Sequence, residues 1–234
     1  NKFETSMLIN SLLEHAICGV RFQPIYSSQE KKIKAWEMLS TLRQGIDCET
    51  FFEKMSLSAS SRLLRWQLRI IPLCEEDGDY FINVPARLLC QSELVSEILP
   101  SLRSGIVIEV QDPCNFILLT NEERESFDIM HQRIKKTGAK IWLDDVRSEH
   151  LAPLGERICI FDGVKVDKKS LWENRLTPRA LQSMIAYCAM MVDQVLIEGI
   201  ENNELFSLAQ NTGCNLMQGF LWPEKKLSVD YVSV

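Results

Sequence analysis

Histidine is scarce in this chain, with three residues (His15, His131, His150) at no metal-ligand spacing, and that argues against an imidazole-built metal site. There is no Cys-x-x-Cys pair. The eight cysteines are scattered mostly inside apolar segments, which reads as reduced core thiols in a cytoplasmic protein rather than a disulfide framework or a zinc site. No stretch approaches the roughly 18 consecutive apolar residues a membrane helix needs, so the covered segment is expected to be soluble and to engage no membrane. Positive charge is in deficit, 26 Lys and Arg against 32 Asp and Glu, giving a net charge of −6 and a pI near 5.3. Binding to duplex nucleic acid, which needs clustered Lys and Arg, is excluded on that ground, and the pairs Lys31-Lys32, Lys168-Lys169 and Lys225-Lys226 read as solvated turns. A polyanionic ligand would need metal ions or a local basic spot. With ten glycines and none gathered into a phosphate loop behind a strand, a dinucleotide-binding open sheet is the weaker architecture.

What is present is an ordinary globular composition, 46% hydrophobic and 25% charged over 234 residues, enough to bury a core. No low-complexity linker divides the chain, so residues 1–234 are expected to form a single domain, with 1–19 an N-terminal helix leading into it. The Leu8–Ala16 stretch reads as an amphipathic helix rather than a cleaved signal, and the start at Asn1 reads as a cut from something longer. Strands are expected at 20–26, 33–39, 80–84, 106–110, 139–143, 163–166, 194–197 and 216–219. Helices are expected near 48–73, 86–99, 121–137, 150–157, 178–192 and 202–212. The first two strands are too close in sequence for a helical crossover and must pair antiparallel. Eight strands in this alternation predict an α/β fold, a TIM-like (β/α)8 barrel whose first strand runs against the rest.

In such a barrel the reactive face lies at the carboxyl ends of the parallel strands. Strand by strand those ends carry Glu37, Asn83, Glu109, Asp144-Asp145, Lys165 with Asp167, Glu198 and Gln218. A single acidic residue after a strand is usually a cap or a solvated turn. A succession of them is the oxygen-rich donor set that hard divalent cations take, and the adjacent Asp144 and Asp145 repel each other unless a cation lies between them. The pattern predicts two magnesium or manganese ions that would activate a water and clamp a phosphodiester, with Lys165 orienting that water or neutralising charge. Trp36, beside Glu37, is a candidate stacking platform.

The segments Phe22-Gln23-Pro24-Ile25, Glu37-Met38-Leu39, Ile82-Asn83-Val84, Ile108-Glu109-Val110-Gln111-Asp112, Leu143-Asp144-Asp145, Val164-Lys165-Val166-Asp167, Glu198-Gly199-Ile200-Glu201 and Gln218-Gly219-Phe220-Leu221 follow one another in the order and approximate spacing of a known family. From about Val20 onward the chain resembles the EAL phosphodiesterases, which hydrolyse cyclic di-GMP to the linear dinucleotide pGpG in bacterial second-messenger signalling. The resemblance implies metal ligands at Glu37, Asn83, Glu109, Asp144, Asp145 and Glu198 for a two-metal Mg2+ or Mn2+ centre. Lys165, Glu198 and Asp167 would be catalytic, and Gln23, Gln218 and Trp36 would meet the nucleotide. Asp112 and Glu201 would anchor the loop after the double Asp. Cyclic di-GMP is the implied partner, with a homodimer and a regulatory protein as further candidates.

The departures are specific. The family's Glu-Ala-Leu is Glu37-Met38-Leu39, and the arginine usually found two places on, which grips a phosphate, is Thr41, unable to offer a charged fork. The loop after the double Asp, normally Phe-Gly-Thr-Gly, is Val146-Arg147-Ser148-Glu149, and losing both glycines is expected to make its backbone costly. The acidic anchor is shortened to Asp112. Two readings follow: a metal-dependent phosphodiesterase, favoured by the complete set of ligands and Lys165, or a catalytically degenerate EAL module that binds a protein partner or senses cyclic di-GMP.

Overall fold

In the computed structural model, which describes residues 1–172 and 177–234, helix α1 (Lys2–Ala16) runs straight into strand β1 (Ile17–Ser27), and a tight turn returns the chain along β2 (Lys32–Leu42). The N-terminal helix therefore stops three residues short of the expected boundary. Then follow α2 (Cys48–Glu53), α3 (Leu57–Ile70), β3 (Asp79–Pro85), α4 (Ser92–Ile98), β4 (Ile106–Gln111), α5 (Pro113–Ile117) and α6 (Asn121–Lys136). The chain continues through β5 (Lys140–Val146), α7 (Ser148–Leu154), β6 (Gly163–Val166), α8 (Lys168–Trp172), α9 (Pro178–Met191), β7 (Gln194–Ile197), α10 (Asn203–Asn211), β8 (Leu216–Gln218) and β9 (Lys225–Ser228). Strands β2 to β8 lie parallel and in chain order, and β1 pairs antiparallel with both β8 and β2. That double pairing closes the barrel. An open sheet would have left β1 or β8 with a free edge.

Local chemistry explains where the elements stop. The stretch expected as one helix over 48–73 is two, because Asp47 caps the first by accepting from Thr50 N–H and Ser56 caps the second by accepting from Ala59 N–H. The helix expected at 86–99 shortens to α4, preceded by a single tight turn at Leu88–Cys90. Thr120 and Glu123 form a reciprocal cap on α6, and Thr177 with Pro178 opens α9. Helices α5 and α8 and strand β9 carry too few residues for a periodic signal.

The barrel interior is stacked in two layers. Side chains two apart on a strand share a face, so each strand contributes one residue to a lower layer and, two residues along, one to an upper layer. The lower layer is apolar: Ile25, Ala35, Phe81, Val107, Trp142, Leu196 and Leu216 form a buried cluster separate from the larger core between strands and helices. Gly163 completes it, and the Trp142 ring fills the space a side chain there would occupy. The upper layer, two residues beyond, is Gln23, Glu37, Asn83, Glu109, Asp144, Lys165, Glu198 and Gln218. The sequence thus places its charged residues on top of a sealed apolar floor.

Gly163→Ala tests this floor. The added methyl would overlap Trp142, which Phe81 already braces edge-on at 4.9 Å, so overpacking is expected to cost about 1–3 kcal/mol in urea denaturation. An unchanged midpoint would show that the floor can yield.

Candidate metal centre

Lys165 occupies the middle of the upper layer with no solvent exposure. Its Nζ lies 2.6 Å from Glu37 Oε1 and 2.6 Å from Glu109 Oε1, and it donates to Gln218 Oε1 at 2.9 Å. Glu37 also accepts from Asn83 Nδ2 at 2.7 Å and from Gln218 Nε2 at 2.9 Å. Burial alone would raise the Glu37 pKa, but the Lys165 charge and these hydrogen bonds outweigh it and hold the carboxyl below its ordinary value. For Lys165 burial works toward deprotonation and loses to the surrounding carboxylates, first Glu109 and then Glu37, so its pKa is driven well above the ordinary value. These carboxylates hold the group as an ammonium.

The double Asp sits on a β-bulge. Leu143 pairs with Val164 and Val146 with Val166, so β5 spends one residue more than β6 over the same span. Asp145 absorbs the excess with φ +53°, a left-handed conformation uncommon for a residue with a side chain. In a regular strand Asp144 and Asp145 would point to opposite faces. Here carboxylate oxygens of Asp144, Asp145 and Glu198 all lie within 4.8 Å of one another.

This crowding is paid for in proton affinity. Burial, the largest cause, outweighs the help of Lys165 and, with the charges of Asp145 and Glu37 adding to it, pushes the Asp144 pKa up to about 7. Burial and then the Asp167 and Glu37 charges raise that of Asp145, and burial with the Asp144 charge drives Glu198 well above its ordinary value. Glu109 is likewise raised well above the carboxylate range by burial and by Glu37. Asp144 Oδ1 and both Glu109 oxygens are buried without a hydrogen bond among the described residues, one Glu109 oxygen being held only by its charge contact with Lys165. Orphaned, crowded carboxylate oxygens are the donor set of a hard divalent cation, and these residues fit one.

The remaining expected site residues are distributed unevenly. Gln23, Glu37, Asp145, Asp167, Glu198 and Glu201 line a cavity of about 240 Å³ that opens from the cluster, and Gln218 lines it too, linked to Gln23 through a 3.1 Å hydrogen bond. Asp167, 5% exposed, is engaged: its Oδ2 accepts from Arg147 Nε at 2.6 Å. Asp112 lies in the left-handed region (φ +58°) and caps α5 by accepting from Cys114 N–H, a local use of the carboxyl expected to anchor the loop. Trp36 is not among the residues lining the cavity. It neighbours Glu37 on β2 and so faces the other side of the sheet, its indole donating to Asp77 O.

The loop after the double Asp also departs from its expected cost. Among residues 146–149 none has positive φ: Arg147 is extended (φ −117°, ψ 166°) and Ser148 begins α7. The two glycines are not missed, because this loop does not use the conformations that need them. Glu224, which accepts from Gln23 Nε2 at 2.9 Å, and Arg21, on the same face of β1 as Gln23, went unremarked in the sequence. Period-two alternation from Gln23 would have found Arg21.

An EAL domain family model matches residues 9–224. No curated protein matches the chain in sequence. Among solved structures, the FimX EAL domain from Pseudomonas aeruginosa bound to c-di-GMP superposes with a TM-score of 0.76 at 15% identity, over 94% of this chain and 96% of that one. The EAL-like domain protein YdiV gives 0.69 at 15% identity over 91% and 94%. The manganese/cy-diGMP complex of Klebsiella pneumoniae BlrP1 gives 0.67 at 20% identity, covering 92% of this chain and 59% of BlrP1.

The raised acids set a pH dependence. An unfolded aspartate has a pKa near 4, whereas burial pushes that of folded Asp144 up to about 7, so the folded state is expected to hold the extra proton in between and metal-free protein to lose stability as pH rises through that window. The melting temperature of EDTA-treated protein is expected to fall from about pH 5 to about pH 8, and Mn2+ to raise it more at the upper end, where the ligands are already deprotonated. A melting temperature that climbs with pH and ignores Mn2+ would count against a cation site.

Proposed function

Because the chain belongs to the EAL domain family, we propose that it binds cyclic di-GMP at the carboxyl end of the barrel and hydrolyses it to linear pGpG with Mg2+ or Mn2+. The observation that carries this reading is the Asp144–Asp145–Glu198 cluster, beside which Asp144 Oδ1 and Glu109 Oε2 lie buried without hydrogen bonds. A further support is that c-di-GMP accompanies the FimX and BlrP1 structures with which the barrel superposes.

Glu37, Asn83, Glu109, Asp144, Asp145 and Glu198 would hold the cations. Bound there, divalent ions supply Lewis acidity toward a phosphoryl oxygen and a hydroxide-like water at neutral pH. The chain's own part is positional and electrostatic. Lys165, held as an ammonium by the carboxylates around it, offsets negative charge building on the phosphoryl group and is kept in place by Glu37, Glu109 and Gln218. Gln218 and Gln23, hydrogen-bonded in series and ending on Glu224, form a polar wall along which the nucleotide would lie. The apolar floor beneath keeps bulk water from the underside of the cluster.

One observation favours the second reading, a degenerate module that senses the nucleotide or binds a protein. Arg147, in the altered loop, takes up the Asp167 carboxylate, a group the enzyme reading assigns to catalysis.

Purified protein incubated with cyclic di-GMP and Mn2+ is expected to release pGpG, Mg2+ to support the same reaction, and Ca2+ to allow binding without turnover. Asp144→Asn should remove Mn2+ binding and turnover together. Lys165→Met should lower turnover about 10²-fold or more with Mn2+ still bound, and should also destabilise the fold, because Glu37 and Glu109 lose their shared partner. Replacing Val146-Arg147-Ser148-Glu149 with Phe-Gly-Thr-Gly separates the readings: faster hydrolysis marks a detuned enzyme. Hydrolysis at background before and after the graft, in folded protein, favours the binding module.

A further inference from the structure

The cavity leading to the cluster is acidic. Glu37, Asp145, Asp167, Glu198, Glu201 and Glu224 line it, and among the described residues its one cation is Lys168, whose ammonium lies 5.2 Å over the Trp172 ring. An anionic ligand entering here needs a countercharge away from the cluster. A second cavity, of about 380 Å³, adjoins the first across the Asn83–Glu37 hydrogen bond, and the cation among its described lining residues is Arg21.

Arg21 is built into the rim. It shares a face of β1 with Gln23 and Ile25 and stands opposite Leu39 of β2. Its Nη1 donates to Ser40 O at 3.0 Å, and its Nε lies 3.8 Å from Glu224 Oε2, the carboxylate that also receives Gln23 Nε2. The Nη2 edge has no protein partner among the described residues, and the side chain keeps 29% of its surface open. A guanidinium anchored through Nη1, with Nη2 open and Nε only in a 3.8 Å charge contact, gives up little side-chain freedom when it meets a phosphate, and Nη2 with a neighbouring nitrogen can present a planar fork to two phosphate oxygens. Thr41 occupies the next paired position on the same strand face, opposite Gly19, and offers a hydroxyl where a fork would be needed.

We infer that Arg21 grips a phosphate of the bound dinucleotide at the rim, away from the carboxylate cluster, and supplies the charged contact that Thr41 cannot. This rests on the reading that the ligand is cyclic di-GMP. Arg21 is a binding residue and takes no part in the bond-breaking step.

The test is cyclic di-GMP affinity by calorimetry with Ca2+ present, alongside a melting curve for each variant. Arg21→Ala is expected to weaken binding roughly tenfold or more, and Arg21→Lys, which keeps the charge and loses the fork, by a smaller factor. The double variant Arg21→Ala, Thr41→Arg should recover most of the loss, because position 41 is the neighbouring pair on the same face. Wild-type binding with an unchanged affinity in folded Arg21→Ala overturns the inference and leaves the ligand reading standing. Absence of binding by wild type overturns both. Should Arg21→Ala fail to fold, Arg21→Lys decides: weaker binding supports the phosphate grip and an unchanged affinity refutes it.

Discussion

An ammonium group sealed from solvent between two carboxylates, each 2.6 Å away, is tolerable only when every member of the group is held in place. Lys165 meets that condition on one side, where Glu37 is itself tied to Asn83 and Gln218 and Gln218 to Gln23, whereas Glu109 is held only by its charge contact with Lys165. The network crosses the barrel from β6 to β2, β4, β8 and β1, so it ties strands that are not neighbours in the sheet. It can exist because the layer below is apolar and closed. Trp142, Phe81 and the missing side chain at Gly163 make that floor, and the Lys165 ammonium lies 5.3 Å over the Phe81 ring.

On the other side of Lys165 the balance reverses. Glu37 is stabilised as an anion, whereas Glu109, Asp144, Asp145 and Glu198 are all pushed toward their protonated forms. One buried cation can satisfy one of these carboxylates fully and the rest only in part. The bulge at Asp145 deepens the deficit by turning two neighbouring carboxylates toward one point, at the cost of a left-handed backbone. A polypeptide gains nothing in stability from such an arrangement by itself. A divalent cation among the oxygens would satisfy the unmet charge and offset the strain, so the bulge and the cluster form one feature.

Much of this was legible from the sequence, because a barrel strand repeats with period two and shows its last inward residue at its carboxyl end. Glu37, Asn83, Glu109, Asp144, Lys165, Glu198 and Gln218 could be picked out on that basis, and the antiparallel first strand followed from the short turn before Lys32. The same period argues against Trp36 as a platform, since the neighbour of an inward Glu37 must face outward. Proximity in sequence concealed that. What could not be read were features set by backbone geometry: the bulge that reverses Asp145, and the caps at Asp47 and Ser56 that split one apolar periodic stretch into α2 and α3. Short elements such as α5 and α8 are fixed by tertiary contacts rather than by their own pattern.

The loop after the double Asp is held by its own side chains. His150 Nδ1 accepts from the Arg147 N–H at 2.9 Å, so the first turn of α7 is closed by a side chain. The Arg147 side chain then reaches across to Asp167, which starts the turn after β6. These two contacts lock the loop in an ordinary backbone conformation and join the end of β5 to the end of β6. The left-handed strain stays confined to Asp145, next to the carboxylates it positions. Charge is where the substitution is felt: a guanidinium now stands on Asp167, at the edge of the same cavity as Asp145, and it competes for that carboxylate with any cation placed nearby. The loop therefore holds an ordinary backbone beside the cluster while placing a guanidinium on Asp167, so its bearing on the cluster is electrostatic.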